Sequence, residues 1–144
     1  MDAEIINRLR SWFYQRLAPE DWSKFGSSAS QVLQTFDDDP DQENALLRFA
    51  EVVVLLEMQK LKNPLLALRV AKQRALELKR LGLTREQLKR VPGSDRLVAN
   101  GYLGIARDSQ DQPIYHNGEP TYILSEKGRQ LEASGQEPPP PQEQ

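Results

Sequence analysis

Five cations and two amide or hydroxyl side chains at short spacing make the strongest chemical signal in this sequence. They are Arg85, Lys89, Arg90, Arg96 and Arg107, with Ser94 and Asn100 among them. Guanidinium and ammonium groups suit phosphate oxygens, and each phosphate they neutralise releases counterions. Ser94, Arg96 and Asn100 carry donors and acceptors of the kind that read base edges. The competing interpretation is a solvated helix face held by salt bridges to the chain's own carboxylates, because charge runs usually lie on surfaces. Charge distribution sharpens the question. Residues 61–100 hold 10 Lys and Arg against 3 Asp and Glu, whereas residues 1–60 hold 6 against 11 and residues 101–144 hold 3 against 7. A basic segment between two acidic ones, in a chain of net charge −2, is a focused field and not a general stickiness.

Other residue types point away from catalysis. His116 is the single histidine, and it precedes Asn117-Gly118 with no serine or carboxylate partner implied by spacing, so an exposed turn residue is expected. The absence of cysteine excludes disulfides, thiolate metal sites and a cysteine nucleophile, and it fits a reducing compartment. Asp37, Asp38, Asp39 and Asp41 could face a divalent cation, but they lack the glycine and terminal glutamate of a calcium loop; helix capping is the expectation. Trp12, Phe13, Trp22 and Phe25 could line a ligand pocket, yet aromatics at helical spacing are more often core. With no triad, phosphate loop or metal set, the expectation is a non-enzyme without a cofactor. The opening MDAEIINRLR lacks the form of a secretory signal, and the run Val52–Leu56 is too short to span a bilayer. A soluble cytoplasmic protein with no membrane partner follows as an expectation.

The elements that would position these residues are mostly helical. Ile5, Leu9, Trp12, Phe13 and Leu17 share one face over residues 3–17. Pro19 suits the first turn of a short helix, with Glu20 and Asp21 near its positive end. Ser27 or Ser28 caps a helix through Phe36. Asp39 is expected to cap the next helix, with Pro40 in its first position and Gln42 completing a capping box. Residues 40–61 are apolar nearly all round, which makes this helix either the centre of the domain or half of a dimer interface. Asn63-Pro64 restarts the chain as a helix to Leu81, and Gly82 stops it. Thr84 caps a helix from Arg85 to Val91, and Ser94 caps another through about Asn100. Strands are expected over Tyr102–Arg107, Pro113–His116 and Thr121–Leu124, with a polar loop over Asp108–Gln112 and a tight turn at Asn117-Gly118. Ser125 caps the last helix. From about Ala133 the chain becomes SGQEPPPPQEQ, which is too polar and proline-rich to pack and is expected to be disordered. Its prolines could serve a proline-binding domain.

Three stretches carry a family likeness. They are Leu83-Thr84-Arg85-Glu86-Gln87-Leu88, then Arg96-Leu97-Val98-Ala99-Asn100-Gly101-Tyr102-Leu103, then Tyr122-Ile123-Leu124-Ser125-Glu126-Lys127-Gly128-Arg129-Gln130-Leu131. Together this part of the chain resembles the winged helix-turn-helix family of bacterial regulators. The resemblance covers roughly the last third of the chain and leaves residues 1–60 unexplained. It implies a helix presented to the major groove of double-stranded DNA and a hairpin wing against the neighbouring backbone. Two departures are physical. The segment Ser94–Asn100 gives only about two turns of helix, where a groove-reading helix has about three. Asp95, Asp108, Asp111 and Glu119 would also repel phosphate.

The sequence therefore predicts a mainly α fold: an N-terminal helical part over 1–62, a winged-helix-like part with a small β-hairpin over 63–133, and a Pro-rich tail over 134–144. The predicted nucleic-acid contacts are Arg85, Lys89, Arg90, Ser94, Arg96, Asn100 and Arg107. The expected role is transcription-related DNA binding by a homodimer; the alternative is a winged-helix-like module that binds a protein partner and no nucleic acid.

Overall fold

In the computed structural model, which describes residues 1–135, eight helices and four short strands follow one another along the chain. The fold is mainly α with a small antiparallel wing near its C-terminal side, as the patterning predicts. The described residues gather into two compact units, one of Met1–Leu56 with Gln73–Pro92, the other of Glu57–Lys72 with residues 93–135. These units interleave in sequence, so each takes residues from both sides of the 62/63 boundary expected above.

The first unit is built on rings. Asp2 opens α1 (Ala3–Arg16) by accepting the Ile5 N–H at 2.9 Å, and α1 buries Leu9, Trp12 and Phe13. In α2 (Pro19–Ser23), the Asp21 carboxylate is buried, where it accepts from the Ala18 N–H at 3.0 Å and from Lys24 at 3.3 Å. Ser28 and Gln31 form the reciprocal capping box of α3 (Ala29–Asp37). α4 (Gln42–Lys60) begins later than expected. Asp41, not Asp39, accepts from the Asn44 N–H at 3.2 Å, while Asp39 turns back to the Asp41 N–H. Phe49 on α4 meets Phe13, Phe25, Phe36 and Trp22 at centroid distances of 4.8, 5.0, 5.1 and 5.9 Å. Trp12, Phe13 and Trp22 are thus buried, Phe25 is half-buried in the same cluster, and each such ring pair adds about 0.5–1.5 kcal/mol beyond area burial. Val53 and Val54 are fully buried, which makes α4 an interior helix of the chain itself.

α5 (Pro64–Leu81) runs from one unit into the other, capped by Asn63, whose side chain accepts from the Leu65 and Leu66 N–H groups. In its first-unit portion Glu77 accepts from the Trp12 indole at 3.0 Å and from Arg74 at 2.7 Å. Gly82 takes φ +116° and leaves the helix. Thr84 and Gln87 form the expected capping box of α6 (Arg85–Leu88), but this helix stops before Val91 as its last N–H groups tighten to three-residue bonds ahead of Pro92.

The second unit is thinner. α7 (Ser94–Ala99) is capped by Gly93 without a side-chain bond, which corrects the expectation that Ser94 caps it. Ser94 lies inside the first turn and accepts from the Tyr122 hydroxyl at 3.1 Å. Gly101, at φ +82°, turns the chain into β1 (Leu103–Ile105). β2 (Tyr115–His116) and β3 (Glu119–Pro120) pair across the Asn117-Gly118 turn, whose φ values of 52° and 80° give the primed geometry that matches strand twist. β4 (Tyr122–Leu124) returns against β1 with Gly104 opposite Ile123. At the fork between the two hairpins, Ala106 donates to Thr121, Thr121 to Ile114, and Ile114 to Ala106, at 2.8–2.9 Å, so three backbone segments close a ring of bonds. Ser125 caps α8 (Glu126–Gly135) through the Gly128 N–H, as expected. The helix reaches Gly135; residues 136–144, on which the expectation of disorder chiefly falls, lie outside the described residues.

Candidate interaction surface

The predicted nucleic-acid contacts fall into two sets, one in each unit. Arg85, Lys89 and Arg90 belong to the first. Arg85 is exposed and makes no ion pair among the described residues. Lys89 is bound to Glu86 at 2.9 Å, and Arg90 donates to the Asn44 side chain at 2.7 Å from a half-buried position. Ser94, Arg96, Asn100 and Arg107 belong to the second unit. Ser94 is engaged with Tyr122. Arg96 and Asn100 are exposed on and just after α7, and the Asn100 carbonyl accepts from Lys127 at 2.8 Å. Arg107 donates to the Asp111 carbonyl at 3.0 Å. Four of the seven predicted contacts, Lys89, Arg90, Ser94 and Arg107, are therefore already committed to the protein's own groups, and Arg96 is not free either.

The presenting elements add to this. α7 has six residues, about 9 Å of helix, with Asp95 in its first turn. The loop beyond Arg107 is closed on itself: the Asp108 carboxylate accepts from the Gln110 and Gln112 N–H groups at 2.9 and 3.0 Å, and Asp111 sits at φ 62°. Glu119 on β3 pairs with Lys72 on α5 at 3.1 Å. The wing thus carries three carboxylates against one cation, Arg107, with Glu119 paired to Lys72 and Asp111 3.9 Å from Arg107. That balance gives a phosphate backbone no excess of cations to attract it within a Debye length, about 8 Å at physiological salt.

What the wing does offer is apolar. Ile114 is 40%, Tyr115 62% and Ile123 51% exposed. Strand alternation explains Ile123: Leu103, Ile105, Tyr122 and Leu124 take the inner face, so Gly104 and Ile123 take the outer one. The sequence carried that signal in Thr121-Tyr122-Ile123-Leu124, but a three-residue strand does not say whether its outer face is covered. Leu65 and Leu66 on α5 of the same unit are exposed as well, at 39% and 42%.

The remaining candidates resolve simply. His116 is exposed beside the turn. The aspartates near α3 and α4 spend their oxygens on local donors: Asp37 on Arg10 and Gln42, Asp38 on Gln34, Asp39 and Asp41 on backbone N–H groups. Among the described residues no group of three or more His, Cys, Asp or Glu is arranged to hold a metal ion, and no helix is long and apolar enough to cross a membrane. Two cations that sequence reasoning left out of the site, Lys79 and Arg80, are exposed in the last turn of α5 and make no ion pair among the described residues. No protein-family model, curated protein or solved structure matches the chain.

Proposed function

We propose that this chain is a non-catalytic, winged-helix-like module that binds a protein partner through the wing of its second unit. The observation that carries this is the exposure of Ile114, Tyr115 and Ile123 on a wing that carries three carboxylates, Asp108, Asp111 and Glu119, against one cation, Arg107. Aromatic and large aliphatic side chains of this kind, rimmed by polar groups, are the composition of protein–protein contact cores, whereas nucleic-acid surfaces are basic. The partner would bring an apolar patch with cations at its edge.

The DNA-binding reading keeps one supporting observation: Lys79, Arg80 and Arg85, all in the first unit, are exposed and make no ion pair among the described residues. Placement at a helix C-terminus accounts for Lys79 and Arg80 equally well, because the helix dipole favours cations there. A homodimer, expected through the Val52–Leu56 helix or the N-terminal helix, would need surfaces other than Val53 and Val54 or Leu9, Trp12 and Phe13, which the chain buries itself.

One experiment separates the readings. A photo-crosslinking benzophenone side chain at position 115, in the full chain in cells, is expected to yield a protein adduct that disappears in Ile123→Glu. In parallel the chain is expected to pass a duplex DNA column at low salt. Salt-sensitive retention that is lost when Lys79, Arg80 and Arg85 become alanine, with no adduct at position 115, would replace the protein-binding reading with the DNA-binding one.

A further inference from the structure

A groove of about 820 Å³ opens on the first unit, lined by Tyr14, Leu17, Pro19, Trp22, Ser27 and Ser28 among others, none of them charged. Its floor is aromatic. The Tyr14 and Trp22 rings stand 5.5 Å apart at 45°, and Tyr14 is 52% exposed although it lies on a helix whose other rings are buried. Its polar character is one-sided. The Tyr14 hydroxyl, the Trp22 indole N–H and the Ser27 hydroxyl meet no partner among the described residues, and none of them is a sealed, unsatisfied atom. The contrast with Trp12 is sharp, since that indole is satisfied internally by Glu77.

Such a groove asks for a ligand with flat apolar rings and carbonyl oxygens that lack competing N–H donors. A run of prolines is that ligand: it has no N–H, a fixed φ, and carbonyls that project free from a three-residue turn. The chain carries one in Pro138–Pro141, beyond the described residues, and four prolines in extended form span about 12 Å. We propose that the groove binds the Pro138–Pro141 stretch of a second copy of this chain. Proline rings would sit against Tyr14, Leu17 and Trp22, with the Tyr14 hydroxyl and Trp22 indole donating to proline carbonyls, as in other aromatic-lined proline grooves. The site is separate from the wing and does not depend on the function proposed for it.

The test uses the two indole N–H signals of the full chain by nuclear magnetic resonance. In a chain with Pro138→Ser, Pro139→Ser, Pro140→Ser and Pro141→Ser, adding a synthetic peptide of residues 136–144 is expected to shift the Trp22 indole signal saturably and leave Trp12 in place. Tyr14→Phe, which keeps the ring, weakens the titration a few-fold. Tyr14→Ala weakens it about tenfold, and the unmoved Trp12 signal certifies that this variant is folded. In the unaltered chain the Trp22 signal moves with chain concentration. Absence of any shift, a shift that ignores Tyr14, or equal binding of a peptide with serines for prolines would overturn the site. A concentration-independent Trp22 signal in the unaltered chain would overturn the second-copy occupant.

Discussion

Phe49 in the first unit is surrounded by four aromatic rings, whereas among the described residues no ring–ring pair lies in the second. The first unit also buries Leu9, Leu33, Leu46, Val53, Val54 and Leu78 almost completely. The second buries Met58, Ala67, Leu68, Ala71, Leu97 and Leu103, with no aromatic ring among them, and leaves Leu65, Leu66, Ile114, Tyr115 and Ile123 partly or largely exposed. One unit is built round a cluster of rings; the other has a smaller apolar core and a close backbone approach at Gly128. Hydrophobic burial is worth about 25 cal/mol per Å², so a unit that forgoes it on one face gives up stability that a partner can restore. The contrast yields an ordered set of ways to break it.

The largest effect is expected at Phe49. Phe49→Ala empties the centre of the ring cluster and should destabilise the first unit by about 3–5 kcal/mol. Amide hydrogen exchange would show this as lost protection across α1, α3 and α4. Unchanged protection there would mean the rings are not what holds the unit.

Next in size is Gly128→Ala. A Cβ at this position would lie 2.1 Å from the Tyr102 carbonyl oxygen and 3.1 Å from its carbon. Backbone cannot yield as a side chain does, so helix α8 would have to leave the Gly101–Tyr102 turn, at about 3 kcal/mol. The loss is expected in β1, β4 and α8, with the indole signals of the first unit unmoved. A Gly128→Ala chain that keeps its strand protection would contradict the view that close backbone approach organises the second unit.

Tyr122→Phe is a smaller cut. It removes the hydrogen bond from Tyr122 to Ser94 and should cost about 1 kcal/mol. Ser94→Ala alone should cost a similar amount, and the double variant little more than either, because the two share one interaction. Additive losses measured by urea unfolding would show that the pair does not act together.

How much of this was open to sequence reading differs between the units for a physical reason. Caps and turns are local, so Ser28, Thr84, Ser125 and Asn117-Gly118 could be placed from a few neighbours. The face of α1 was equally plain, since Leu9, Trp12 and Phe13 fall on one helical stripe. Ser94 was misassigned because Gly93 takes the cap and the true partner, Tyr122, is distant in sequence. The cation set was legible as composition but not as a surface: whether Lys89 and Arg107 are free depends on where Glu86 and Asp111 fold back. Asp21 gave no sign of being buried, because its environment is made by a chain reversal and not by a pattern.

The smallest effect on stability is expected where the effect on function should be greatest. Tyr115 is the most exposed of the large wing residues, and β2 lies in a two-residue hairpin with both side chains in solvent. Tyr115→Ser should therefore change the unfolding free energy by less than about 0.5 kcal/mol, the usual range for a surface site. Tyr115 stands opposite Pro120, and the backbone register of the hairpin does not depend on its side chain, so little is lost when the ring goes. Ile123→Thr keeps β-branching and the strand register opposite Gly104, and it should be as mild. If either variant instead costs more than about 1 kcal/mol, the side chain is holding the wing together and is not waiting for a partner. The asymmetry between a packed first unit and an open second one would then have a structural cause, and the binding role proposed for the wing would lose its basis.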